Sequence, residues 1–304
     1  MPNIWTHILF CEEIVDEITQ TKTISNHETI MKLGAQGPDP FFYYKFWPWL
    51  KDESVQKVGT ALHTRYCGDF LIDLIKAAST LNGSVKAYVF GFITHHILDR
   101  NTHPYIHYRA GYEGSKHQKL EVFIDTLMME KYQNLKTWKT PVYKEIDVGI
   151  SIDEDIRHLL HRLVTKYFPE FNFSTTRYIQ KSYRDMKFAL KLLADPYGWK
   201  NALLKSTIAS YSHQPIRDEK DYLNLHNTTW FHPATNKPCT HSFLDLYHQA
   251  KVEAIEILTT VNEYWNSSNE SLLTKLTGQI GNISYDTGKS LHLELENRYS
   301  EPIV

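Results

Sequence analysis

Cysteine is scarce in this chain of 304 residues, and the three present, Cys11, Cys67 and Cys239, are far apart with no CxxC spacing. That excludes a disulfide framework and a thiolate zinc finger, and points to a reducing, cytoplasmic compartment. Charge of one sign is missing too, since 33 Lys plus Arg against 35 Asp plus Glu leave a formal net charge of −2. With no overall basic field to collect nucleic acid or an acidic membrane, any polyanion site has to be local. The opening MPNIWTHILFCEEIVDEI has no basic n-region, so neither a secretory nor a transit leader is expected. No run reaches the roughly 18 uninterrupted apolar residues of a membrane span. Nor is there an internal repeat or a low-complexity linker, which favours one continuous domain.

What is there is 42% apolar residues, ample for a core, and 16 histidines, more than the 13 glycines or the 12 prolines. Six of them, His63, His95, His96, His103, His107 and His117, lie within 55 residues, where an even spread would place about three. Ser84 to Asp99 is apolar at Val85, Tyr88, Val89, Phe92, Ile93 and Ile97, which predicts a mostly buried helix. Asn101, Thr102 and Pro104 break that pattern and put His103 in a turn that swings back toward the helix end. From His117 onward Leu120, Phe123, Ile124, Leu127 and Met128 fall at three-and-four spacing. Residues 54–79 carry one apolar stripe through Val58, Leu62, Tyr66, Phe70 and Leu74, predicting a third helix with His63 on or beside its buried side.

On such helices His95 and Asp99 share a face, and so do His117 and Glu121. Imidazole and carboxylate are the usual non-sulfur ligands of zinc. Two carboxylates on apolar helices, with no Lys or Arg facing inward beside them, require a compensating cation. Satisfied core histidines are the alternative. The spacing is neither HExxH nor the ExxH of di-iron bundles, because here the histidine precedes the acid by four.

Taken in order, His7, LGAQGPDP around Asp39, His63, GFITHHILDRNTHP and KHQKLE resemble the zinc-dependent phospholipase C family and its fungal single-strand nuclease relatives, over about the first 125 residues. The resemblance implies an all-α, multi-helical single metallohydrolase domain over residues 1–304. Metal-site helices would occupy 1–135, further helices and a lid loop 136–265, and a C-terminal tail 266–304. It implies two zinc ions, one on His63, His95 and Asp99 and the other on His103, His117 and Glu121. A third is implied where Asp99 bridges to His7 and the mature N-terminus, here Pro2 if Met1 is removed. The interval from Asp99 to His103 is two residues shorter than the family's, which leaves His107 as a rival ligand. Asp39 falls where the family has its general base, in a loop that two prolines stiffen.

The implied activity is hydrolysis of a phosphodiester, with phospholipase C-like cleavage of a phospholipid headgroup first and peripheral membrane contact at most. A nuclease or nucleotide phosphoesterase on the same metals is the alternative enzyme, although net charge gives nucleic acid little support. A non-catalytic helical metal-binding protein is the other alternative. Within FFYYKFWPW, from Phe41 to Trp49, the rings of Phe41, Tyr44 and Trp47 are the candidates for binding substrate; core packing is the competing reading. His96 points about 100° off the ligand face and reads as packing. Asp125 either bonds a ligand imidazole or is solvated.

Further on, 153–167 reads as an amphipathic helix, and 171–193 contains another around Tyr178, Tyr183, Met186, Leu190 and Leu193. Residues 224–241 read as a Pro- and Asn-rich lid or wall, whose His226, His232 and His241 are too irregularly spaced for another metal site. Ser242 with Asp245 marks a helix start. Ser271 to Val304 reads as a short helix and a weakly structured tail.

Overall fold

Apolar spacing of three and four, closed off by caps, decides most of the elements. In the computed structural model, which describes residues 3–18, 22–47, 50, 53–200 and 210–304, the helices are α1 (Ile4–Glu17), α2 (Lys22–Ser25), α3 (Glu28–Gly34), α4 (Gln56–Thr64), α5 (Cys67–Ala78) and α6 (Gly83–Ala110). They continue with α7 (Lys116–Gln133), α8 (Glu154–Tyr167), α9 (Arg177–Leu193), α10 (Phe243–Ser267) and α11 (Glu270–Ile280). The strands β1 (Trp230–Phe231) and β2 (Pro238–Cys239) form one antiparallel pair, Trp230 opposite Cys239. The chain is thus an all-α, multi-helical domain. No described helix is long and apolar enough to cross a membrane.

The spine is α6, whose 28 residues are buried on nearly every face, as a helix at the centre of a bundle must be. Around it pack α1, α3, α5, α7 and α10. The closest approach is that of α3, where Gly91 of α6 leaves no room for a Cβ, which would stand 2.2 Å from the Met31 carbonyl oxygen. Opposite lies α10, started by a capping box in which the Ser242 side chain accepts from the Asp245 amide and the Asp245 carboxylate accepts from the Ser242 amide. Its buried face runs through Phe243, Tyr247, Ala250, Ala254, Ile257, Leu258 and Val261.

The turn expected around Pro104 does not form, and α6 runs straight through it. The polar residues read as breakers satisfy themselves on the helix's own carbonyls, Asn101 Nδ2 on Ile97 at 2.8 Å and Thr102 Oγ1 on Leu98 at 2.9 Å. Burial on all sides outweighs the roughly 3 kcal/mol cost of an internal proline. Conversely, the single helix expected over 54–79 is two, because Tyr66 takes a left-handed conformation (φ 52°) between α4 and α5. Its ring leaves the stripe to pack on Tyr167 and Phe168. The helix expected within 171–193 runs from Arg177 to Leu193, after a 3₁₀ turn at Pro169–Phe171.

The stretch after α11 is also more ordered than a tail. It folds back at residues 283–290, with an Ile283–Ser290 bridge, and then donates from Glu301 and Ile303 amides to the carbonyls of Tyr108 and Arg109 on α6. The 224–241 loop grips this stretch, since the Arg298 and Tyr299 amides donate to the Pro233 carbonyl. Trp230 of the loop lies against Tyr105 and Tyr108.

Candidate metal centre

Because α6 is continuous, His95, Asp99 and His103 follow one another at four-residue spacing on one buried face, each exposed by 1% or less. Asp99 is the hub. Its Oδ1 lies 3.3 Å from His7 Nε2 and 3.5 Å from His103 Nε2, and its Oδ2 lies 3.0 Å from His95 Nε2 and 3.9 Å from His63 Nε2. Asp39, at the start of a 3₁₀ turn (Asp39–Tyr43), brings its Oδ1 to 3.6 Å from His63 Nε2 and 3.7 Å from His95 Nε2. Ligands placed tetrahedrally around zinc at about 2.0–2.1 Å stand roughly 3.3 Å apart, which is the scale of these separations.

The imidazoles are aimed from behind. His63 Nδ1 meets the Gly59 carbonyl at 2.7 Å, and His95 Nδ1 meets the Ala35 carbonyl at 3.0 Å. A carbonyl only accepts, so Nδ1 carries the proton in both and Nε2 offers a lone pair to the cluster. His7 stacks on His95, ring centroids 4.1 Å apart. His7 is itself held by Asp125, whose carboxylate accepts from the amides of Trp5 (3.0 Å) and Thr6 (2.9 Å) and from Thr6 Oγ1 (2.6 Å). Asp125 is therefore neither solvated nor bonded to a ligand imidazole; it ties the first turn of α1 to α7.

Further along α6, His103 forms a second donor set with His117 and Glu121 of α7, where His117 Nε2 stands 2.6 Å from Glu121 Oε1. A residue not anticipated from the sequence joins here. Asp286, between α11 and the C-terminus, places Oδ1 3.5 Å from His103 Nδ1 and 3.7 Å from His107 Nε2. No spacing signal marks it, because it is far along the chain from its neighbours. Beside it Tyr285 packs on His63 and His96, with centroids 4.8 and 4.4 Å away. His96 bonds the Ile283 carbonyl at 2.9 Å, a packing role as expected. None of His226, His232 and His241 joins a donor set among the described residues. Pro2, the remaining expected ligand at the third position, lies outside the described residues.

Whether these groups suit a cation is decided by what they lack. His7 Nε2, His95 Nε2, Asp39 Oδ1 and both Asp99 oxygens are buried without a hydrogen-bond partner, a costly arrangement for a bundle interior. The ion-pair partners of Asp39 and Asp99 among the described residues are imidazoles only. Burial pushes the imidazole of His7 down to about 3 and that of His103 down to about 4, leaving both neutral. Burial alone would raise Asp99, but His103, His95 and His7 hold it well below the usual carboxylate range. Imidazole nitrogens grouped around carboxylate oxygens, with no Lys or Arg paired to Asp39 or Asp99 among the described residues, fit a divalent cation.

The aromatic run divides by depth. Phe41 is core, 4% exposed and stacked on Tyr178. Phe42 packs on the His63 ring at 5.4 Å. Tyr44 has the ammonium groups of Lys45 and Lys181 at its ring, 5.3 and 5.7 Å from the centroid. Trp47 stacks on Phe46 and leans on Phe188, which is half exposed; Trp49 lies outside the described residues. Phe188 lines a groove with Arg157, Arg177, Lys181 and Arg184, where Asp185 pairs with Lys181 at 2.9 Å.

Neither the curated proteins nor the solved structures provide a match to this chain. A family model does: that of zinc-dependent phospholipase C matches residues 6–185, a span that contains His7, Asp39, His63, His95, Asp99, His103, His117 and Glu121. With that match over more than half its length, the chain belongs to the zinc-dependent phospholipase C family.

Proposed function

We propose that the cluster holds zinc and hydrolyses phosphodiesters, releasing the headgroup of a phospholipid. The convergence of His7, His63, His95 and His103 from three helices on one carboxylate, with Asp39 beside it, carries this reading. In it His63, His95 and Asp99 hold one ion, with Asp39 beside it; His103, His117 and Glu121 hold a second; and His7 with Asp99 serves a third. Divalent cations there would neutralise phosphoryl oxygens, acidify an attacking water and stabilise the leaving oxygen.

The protein's own part is to position groups and take up a proton. Asp39 sits in the stiff Gly37-Pro38-Asp39-Pro40 turn and accepts the proton of the attacking water. Burial pushes its carboxyl up to about 7, with the Asp99 charge adding to that and His95 opposing it, which suits a base near neutral pH. A neighbouring cation would draw it lower. Trp47, stacked on Phe46 and leaning on the half-exposed Phe188, forms an apolar patch that supports contact with the edge of a lipid layer.

One observation favours a second reading, hydrolysis of single-stranded nucleic acid. The Arg157, Arg177, Lys181 and Arg184 groove beside Phe188 combines phosphate-binding charge with a stacking ring. The zinc-loaded protein is to be assayed on phospholipid vesicles and on a single-stranded oligonucleotide. Headgroup release is expected, falling about 10²–10⁴-fold in Asp39→Asn. Turnover of the oligonucleotide alone would move the assignment to a nuclease. No turnover of either, or of bis-p-nitrophenyl phosphate, with zinc bound would overturn the hydrolase reading and leave a helical metal-binding protein.

A further inference from the structure

Asp286 and His107 are not used by the reading above. His103 and His107 lie one turn apart on α6, and all four of their ring nitrogens are without a hydrogen-bond partner in the interior. The Asp286 carboxylate stands 3.5 and 3.7 Å from one nitrogen of each. The His107 and His117 ring centroids are 4.7 Å apart and those of His103 and His107 5.5 Å. This pocket therefore borders the His103–His117–Glu121 set and shares His103 with it. The imidazoles around Asp286 hold its carboxyl well below the usual carboxylate range, against the effect of burial.

Asp286 is also held to this place by its backbone. The Tyr285 amide donates to the His63 carbonyl at 3.1 Å, and His96 bonds the Ile283 carbonyl. Two residues on, Gly288 (φ 58°) lies against the Arg100 carbonyl, where a Cβ would come within 2.2 Å of the oxygen. That carbonyl is the one whose helical donor is missing, because residue 104 is proline. The proline thus opens a place on α6 for the hairpin, and the hairpin delivers a carboxylate next to His103 and His107.

We propose that His103, His107 and Asp286 bind a divalent cation, zinc being the one the donors suit, with His103 releasing its ring proton to solvent so that one nitrogen serves this ion and the other the ion on His117 and Glu121, and that this ion fastens the C-terminal segment to α6. The inference rests on the zinc cluster proposed above. Asp286 lies outside the span matched by the family model.

The test is zinc content and affinity of the full chain, measured by elemental analysis and chelator competition, in wild type, Asp286→Asn and His107→Gln. Asp286→Asn keeps the shape and removes the charge; His107→Gln removes no hydrogen bond and so keeps the fold if the first variant loses it. The expected result is that each variant loses one equivalent of zinc or binds one at least about ten-fold more weakly, with the other equivalents unchanged. Amide exchange at 283–290 in the wild type should rise when zinc is withdrawn. If the wild type holds zinc and both variants hold as much with the same affinity, Asp286 and His107 are not ligands and the inference fails alone. A wild type that binds no zinc overturns both this inference and the reading on which it rests.

Discussion

Gly37→Ala tests whether the GPDP turn buttresses the metal site. Gly37 sits at φ 50° with its open face on the His95 ring, and a Cβ there would stand 2.4 Å from Cδ2 and 2.5 Å from Cγ. Neither side can yield freely. The Gly37 amide is bonded to the Gly34 carbonyl at 2.7 Å, and His95 Nδ1 to the Ala35 carbonyl at 3.0 Å. A left-handed alanine costs about 1–2 kcal/mol, and overpacking typically about 1–3 kcal/mol, so the variant should lose about 2–5 kcal/mol. With unfolding entropy near 2.1 cal/mol/K per residue, a chain of this size changes by roughly 0.64 kcal/mol per degree, so Tm should fall by about 3–8 °C. His95 serves both the His7–Asp99 and the Asp39–His63 donor sets, so a displaced ring should also cost zinc from both. Calorimetry and elemental analysis of the same preparation check this. A variant melting within about 1 °C of wild type with undiminished zinc would refute the buttress.

Chelation should destabilise the wild type, because an ion at one hundred times its Kd adds about 2.7 kcal/mol per site, or roughly 4 °C in a chain of this size; an unchanged Tm in EDTA would mean the folded state holds no metal. Asp125→Ala should cost about 1–3 kcal/mol by orphaning the buried Trp5 and Thr6 amides, and circular dichroism against denaturant would expose the error if stability is unchanged. Lys32 is 7% exposed and holds Glu12, Glu28 and Glu145 at 2.7, 2.6 and 2.9 Å; since Glu28 is largely exposed, Lys32→Met should cost only about 1–2 kcal/mol. Burial lowers the Lys32 amine but the three carboxylates raise it overall. Its contribution should therefore be complete below the ordinary lysine value of about 10.4 and fade as pH rises above that; a gap between wild type and variant that instead widens with alkaline pH would contradict the assignment.

The helical class and the pairing of His with acid one turn on were legible because local spacing carries them, whereas His7, Asp39 and the role of His63 came only with the family resemblance. His95 with Asp99, and His117 with Glu121, are one-turn neighbours whatever the tertiary fold. Ser242 with Asp245 is likewise a local device. What stayed hidden depends on partners far along the chain. Asn101 and Pro104 look like helix breakers until α10 and the C-terminal hairpin cover them. Asp286 looks like an ordinary turn acid until the His63 carbonyl and the gap beside Pro104 fix where it goes. Phe41 and Trp47 are indistinguishable as letters, and only the packing of Tyr178 decides that one is core and the other lies near the surface.

The continuity of α6 explains why one helix can serve several ion positions. A residue turns by about 100° and rises about 1.5 Å, so each four-residue step from His95 to Asp99, His103 and His107 advances about 40° and 6 Å. Over the three steps the donors climb about 18 Å and rotate through about 120°. His95 therefore faces α1 and the Asp39 turn, Asp99 and His103 face the middle, and His107 has turned toward α7 and the C-terminal hairpin. The short interval between Asp99 and His103 needs no tightened turn, since one helical step already leaves His103 Nε2 3.5 Å from Asp99 Oδ1. By the same geometry His107 has rotated out of reach of Asp39 and Asp99. Its carboxylate must come from another element, and Asp286 is the one the fold supplies there.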